Sequence, residues 1–273
     1  VIGRIWALTG YFTTSLLRSF SGVGLVLATL VFWLVFFNPR QQTPDSAYYV
    51  LVIGVFGAGM GFLVALMIAS RANHANLYPW VVRLPGRVEY MTAVFGSALI
   101  TTLILQLLLA LLALVNGPPL TWQQLVEIPP VWLSLLILAE MLALHAADLV
   151  AKGWSRVYLF GILAIFLFAQ GIHNMTVRSM INQLNQVAAS QGWTGMNDAL
   201  TNYIITLNSN DVSAVGRLFG LVFWPFRALA EATVSGYFSP MQALAPAILL
   251  LYATILFMLA ADLFANKDLM FIE

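Results

Sequence analysis

"AYYVLVIGVFGAGMGFLVALMIA", residues 47–69, contains no charged side chain. A helix of about 17 to 25 mostly apolar residues crosses a bilayer, so this stretch is predicted to be a membrane span. Its glycines lie at 54, 57, 59 and 61, and Gly57 with Gly61 forms a G-x-x-x-G pair. Small residues at that spacing let helix backbones approach closely. That face is predicted to pack on another helix, either in the same chain or across a dimer seam.

Five further stretches meet or approach the same length, giving six predicted spans at 20–37, 47–69, 90–115, 130–150, 157–172 and 243–264. The composition agrees, with 61% hydrophobic and 8% charged residues, where soluble domains are about a quarter charged. The expected fold class is therefore all-α, a polytopic membrane protein forming one domain over 1–273. The formal net charge of +1 argues against a nucleic-acid partner, which needs a basic face. With no cysteine there is no disulfide framework and no thiolate nucleophile.

Residues 1–19 carry Arg4 and Arg18 but are interrupted by Thr9, Gly10, Thr13, Thr14 and Ser15. They lack the unbroken apolar core of a signal peptide and suit a helix lying in the membrane interface. Positive residues near span ends stay on the cytoplasmic side. With the amino terminus inside, Arg4, Arg18, Arg71, Arg83, Arg87, Lys152, Arg156 and Lys267 are cytoplasmic, and Arg40, Arg178, Arg217 and Arg227 are outside. Both termini are then cytoplasmic. Between spans five and six, residues 173–240 are predicted to form an external helical excursion, with 212–227 re-entrant or interfacial because Arg217, Pro225 and Arg227 interrupt it.

No P-loop, G-x-S-x-G, H-E-x-x-H or G-x-G-x-x-G pattern occurs, so no catalytic set, cofactor site or metal site is expected in this chain. In the fourth predicted span Glu140 lies near the middle, where an ionised carboxylate costs a few kcal/mol. His145 and Asp148 fall three apart on one helical face, and Asp148 precedes Lys152 by four, a favourable ion-pair order. These three polar residues form either a track for substrate or protons, or a buried glutamate bonded to a neighbouring span beside an interfacial ion pair.

The loop "ANLYPWVVRLPGRVEYMTA", 75–93, is the densest in charge of the short loops. Pro79 and Pro85 are expected to hold their predecessors extended. Between them Trp80, Val81, Val82 and Leu84 lie beside Arg83 and Arg87. This is the chemistry of a docking element, or of an ordinary positive-inside loop with an interfacial tryptophan.

"LPGRVEYMTAVFGS" is similar to a P-x-x-R-x-E-Y-like entry into the third span, and "LFANKDLMFIE" to the usual ending, of the membrane subunits of ABC transporters in the ABC type-2 exporter class. The overall plan resembles that family as well. The resemblance implies a permease subunit that pairs with a second permease subunit as a homo- or heterodimer in a bacterial or archaeal plasma membrane. It implies a separate ATP-binding subunit that carries ATP and magnesium and docks at 70–90, with Trp80, Arg83, Pro85, Arg87 and Glu89 transmitting force. The stretch "ASRANHANLYPW" lacks the acidic E-R-E-like signature and the Gly-Thr pair of many members. That departure favours the alternative, a non-transporting scaffold or accessory subunit of a respiratory or photosynthetic membrane complex. An intramembrane enzyme using Glu140 and His145 is the third reading.

Overall fold

The computed structural model describes residues 1–37, 46–115, 117–150, 223–229, 231–232 and 242–266, without the side chain of Tyr78. Contacts divide the chain into two units, 1–156 with 225–273, and 157–224. Only 223 and 224 of the second unit are described. The first unit contains seven helices relevant here: α1 (Ile2–Leu17), α2 (Phe20–Phe36), α3 (Ser46–Ala72), α4 (Tyr78–Arg83), α5 (Arg87–Leu114), α6 (Trp122–Ala146) and α7 (Ala245–Asn266).

Among the described residues four helices are long and apolar enough to cross a membrane: α3, α5, α6, and α7 with the short turn at Gln242–Leu244 before it. The first predicted span corresponds to α2, whose 17 residues rise about 26 Å against a hydrocarbon core of about 30 Å. It is long and apolar enough to cross only together with α1, to which it is bent by 71°. The fifth predicted span, 157–172, and the excursion at 173–240 lie outside the described residues except for 223–229 and 231–232, as do Arg40, Lys152, Arg156, Arg178, Arg217 and Lys267.

The α1–α2 corner follows from three residues. Ser19 caps α2 by accepting from the Gly22 N–H at 3.4 Å. A Cβ on Gly22 would lie 2.5 Å from the Leu16 carbonyl oxygen, so only glycine permits so close an approach. Arg71, at the end of α3, then donates to the Ser15 carbonyl at 3.0 Å and to the Ser19 and Ser21 hydroxyls at 2.7 and 3.2 Å. On α1 the buried Leu8, Thr9, Phe12, Thr13 and Leu16 face inward at helical spacing, while Ile2 and Trp6 face outward.

Side-chain contacts fix the helix directions. Tyr49, in the first turn of α3, donates to the Ala110 carbonyl at 3.1 Å, and Tyr90, in the first turn of α5, donates to the Ala72 carbonyl at 2.7 Å. Each tyrosine thus satisfies a carbonyl towards the end of the other helix, where carbonyls begin to lack helical partners, and α3 and α5 are antiparallel. Along the α3–α6 seam Gln124 meets Ser46, Trp132 meets Val50 and Glu140 meets Gly61, so these two helices run parallel. Arg87 donates to the Ala265 carbonyl at 2.9 Å and Phe95 lies against Phe257, which makes α7 antiparallel to α5. It follows that α6 and α7 point the same way.

The fourth predicted span shifts in the structure. Its helix starts at Trp122, eight residues before Pro130, because Thr121 and Gln124 form a capping box. It continues through Pro129 and Pro130, which lack the N–H that would bond the Leu125 and Val126 carbonyls. It ends at Ala146, with Ala147 extended, so Asp148 does not share a helical face with His145. Glu140 correspondingly stands in the last third of its helix rather than near its middle.

Candidate functional site

The glycines of α3 form a row that receives three large side chains. Gly54 faces Trp132 of α6, where a Cβ added to the glycine would lie 3.3 Å from Cδ1; Gly57 faces the Gln106 amide of α5 too closely to accept any Cβ. Gly61 faces Glu140 of α6, and a Cβ there would lie 3.2 Å from Cγ and 3.5 Å from Oε1. The close-packing face inferred from the G-x-x-x-G pair therefore meets helices of the same chain.

Two of the three side chains are anchored alike. Trp132 Nε1–H donates to the Val50 carbonyl at 2.9 Å, and Gln106 Nε2–H donates to the Ile53 carbonyl at 3.3 Å. In each case the acceptor lies four residues before the glycine beneath. Glu140 breaks the pattern. It is fully buried, and both carboxyl oxygens lack a hydrogen-bond partner. Thr102 of α5 lies beside it, but the Thr102 hydroxyl donates to the Ala98 carbonyl at 2.9 Å.

Depth follows from the neighbours. Gly61 is two residues past the midpoint of α3 (46 to 72, midpoint 59), and Thr102 is within two of the midpoint of α5 (87 to 114, midpoint 100.5). Glu140 thus sits at mid-height of the α3–α5 pair although only six residues before the end of α6 (146 against 140). His145 does not join it. Its ring is buried and turned to α7, where Nε2 is 2.9 Å from the Leu256 carbonyl. A carbonyl only accepts, so that nitrogen carries the hydrogen. Asp148 lies beyond the helix, and its predicted partner Lys152 is outside the described residues.

The 75–93 loop is mostly helical. Pro79 occupies the first turn of α4, where its missing N–H has no helical partner to lose, so Tyr78 is helical rather than extended as expected. Leu84, before Pro85, is extended with ψ 136°, as the proline requires. Val81 is buried, whereas Trp80, Val82, Arg83 and Pro85 are exposed.

The remaining predicted docking residues are engaged within the chain. Glu89 pairs with Arg4 of α1 at 3.2 Å, and Arg87 donates to the last carbonyls of α7. The Trp80 ring lies 5.0 Å from that of Tyr11. Composition signals the loop but not these contacts, since the partners are 85 and 178 residues away. Arg4, Arg18, Arg71, Arg83 and Arg87 all gather at the end of the unit where α3 and α7 finish and α5 begins.

No family model, curated protein or solved structure matches this chain. Among the described residues no group of three His, Asp or Glu side chains could hold a metal ion.

Proposed function

We propose that this chain is the permease subunit of an ATP-driven transporter of the ABC type, coupled to a separate ATP-binding subunit through α4. One observation carries the reading: an exposed strip of Trp80, Val82 and Arg83 sits on a short helix whose surroundings tie into three other helices. Trp80 leans on α1 through Tyr11, Glu89 holds Arg4 of α1, and Arg87 at the start of α5 grips the end of α7. In this reading a push on α4 reaches the amino-terminal helix directly through Trp80 and, by way of α5 that follows it, the end of the last span.

The strip offers an aromatic anchor and a guanidinium, side-chain types that dominate protein interfaces, with an aliphatic side chain between them. Nucleotide chemistry belongs to the partner, which brings ATP and magnesium. Closure of two such partners would reorient a dimer of membrane subunits. In this reading the region around α4 faces the cytoplasm, in keeping with its arginines. On the same reading the span expected at 157–172, outside the described residues, brings the spans to six, in keeping with α6 and α7 pointing the same way.

The test is co-purification of the full-length chain from its native membranes. An ATP-hydrolysing partner that is retained by the wild type and lost in Arg83→Glu, with the membrane domain still folded, supports the proposal. Retention in that variant, or recovery of a redox complex instead, refutes it. Arg87 is unsuitable for this test because its replacement would also release α7.

A further inference from the structure

The glycine row explains why Glu140 can fit between α3 and α6 but leaves its charge unexplained. An ionised carboxylate in the bilayer interior needs a cation, hydrogen-bond donors or water. Among the described residues no cation reaches it, and both oxygens are buried without a hydrogen-bond partner. The elements packed against it contribute Gly61 from α3 and Thr102 from α5, neither of them charged. On its own helix His145 is committed to the Leu256 carbonyl.

Thr102, the polar side chain beside Glu140, has its hydroxyl 2.9 Å from the Ala98 carbonyl, which competes for its one hydrogen. A donor shared with that carbonyl is a weak counterpart for an oxyanion, whereas the same hydroxyl oxygen can accept from an acid O–H.

The geometry points to Glu140 as a proton-binding site at mid-height of the helix bundle, its carboxyl held as the neutral acid and its proton exchanging with water only when α3 and α6 separate at Gly61. A proton is the ligand that suits a space closed to water. Binding forms one O–H bond on the carboxyl and release breaks it, with the proton passing to water once the seam opens. The inference does not depend on the coupling proposed for α4, and its test uses no ATP-binding partner.

Infrared spectroscopy of the full chain in lipid vesicles at neutral pH reads the site directly. A glutamate in water, with an ordinary pKa of about 4.3, would show carboxylate bands. Here wild type minus Glu140→Gln should instead reveal a carboxylic C=O band, and Glu140→Asp should shift that band in frequency. A carboxylate band in the difference spectrum would overturn the proposal, as would no carboxyl signal at all. The aspartate variant keeps the assignment testable should the glutamine variant fail to fold.

Transfer to D2O then tests the seam. Gly61→Val wedges against Glu140 and should accelerate deuteration of the acid by at least roughly tenfold, the effect of about 1.4 kcal/mol on an opening equilibrium. Gly59→Val, where nothing lies within 4 Å of the added Cβ, should leave the rate unchanged. Equal rates in the two variants would refute exchange through the α3–α6 seam.

Discussion

Replacing Gly57 with alanine tests the packing of the bundle most directly. The added Cβ would overlap the Gln106 amide, which is 2% exposed and donates to the Ile53 carbonyl at 3.3 Å. The amide is the mobile end of its side chain, so it would swing away rather than force the backbones apart. Doing so strands a buried donor and a buried carbonyl, at a cost of about 1–3 kcal/mol. Residual overpacking adds about 1–3 kcal/mol, and the helix gains back up to about 1 kcal/mol from losing a glycine. Gly57→Ala should therefore be less stable than wild type by about 1–6 kcal/mol, the sum of those two costs less that gain. Gly59→Ala, on the same helix with open space around it, keeps only the gain.

Equilibrium unfolding in mixed micelles, followed by circular dichroism, measures both variants against wild type. Adding Gln106→Ala to Gly57→Ala should recover part of the loss, since it removes the amide that the methyl displaces. The coupling between the two sites is what matters. Equal stability of Gly57→Ala and Gly59→Ala would mean that α3 and α5 do not meet at this point.

Three other outcomes are expected. Gly22→Ala brings a methyl against backbone carbonyls at 2.5 and 2.6 Å, which no side chain can relieve, so the α1–α2 corner should open, as a change in spin-label distance between the two helices. Arg71→Gln removes the charge that bridges Ser15, Ser19 and Ser21 and should loosen the same corner, seen as faster amide exchange over 15–22 with α3 unaffected. Thr121→Ala deletes the capping box of α6 and should cost about 1 kcal/mol in the same unfolding assay, with early fraying at Trp122 and Gln123.

The helical character and, among the described residues, most helix positions were legible because an uncharged run such as 47–69 suits a helix long and apolar enough to cross a bilayer. The ends were less so. Pro130 looked like a boundary, but a threonine and a glutamine several residues earlier formed a cap that started the helix before it. At the other end Ala147 turned extended and separated Asp148 from His145, which spacing alone had put on one face. For the loop, sequence singled out Trp80, Arg83, Pro85, Arg87 and Glu89 together. Structure divides them, because Arg87 and Glu89 find partners in α7 and α1 at separations that no local pattern encodes. The polarity of Glu140 could be read from the chain, but its neighbours could not, since Gly61 and Thr102 come from two other helices.

The reciprocal tyrosines have a mechanical consequence. Sliding α3 along α5 by one residue would detach Tyr49 from Ala110 and Tyr90 from Ala72 at the same moment, at opposite ends of the pair. Resistance to shear is thus built into both tips, and the two helices behave as a single beam. Any motion of the unit must pivot around that beam, at the glycine corner on one flank or along the α6 seam on the other.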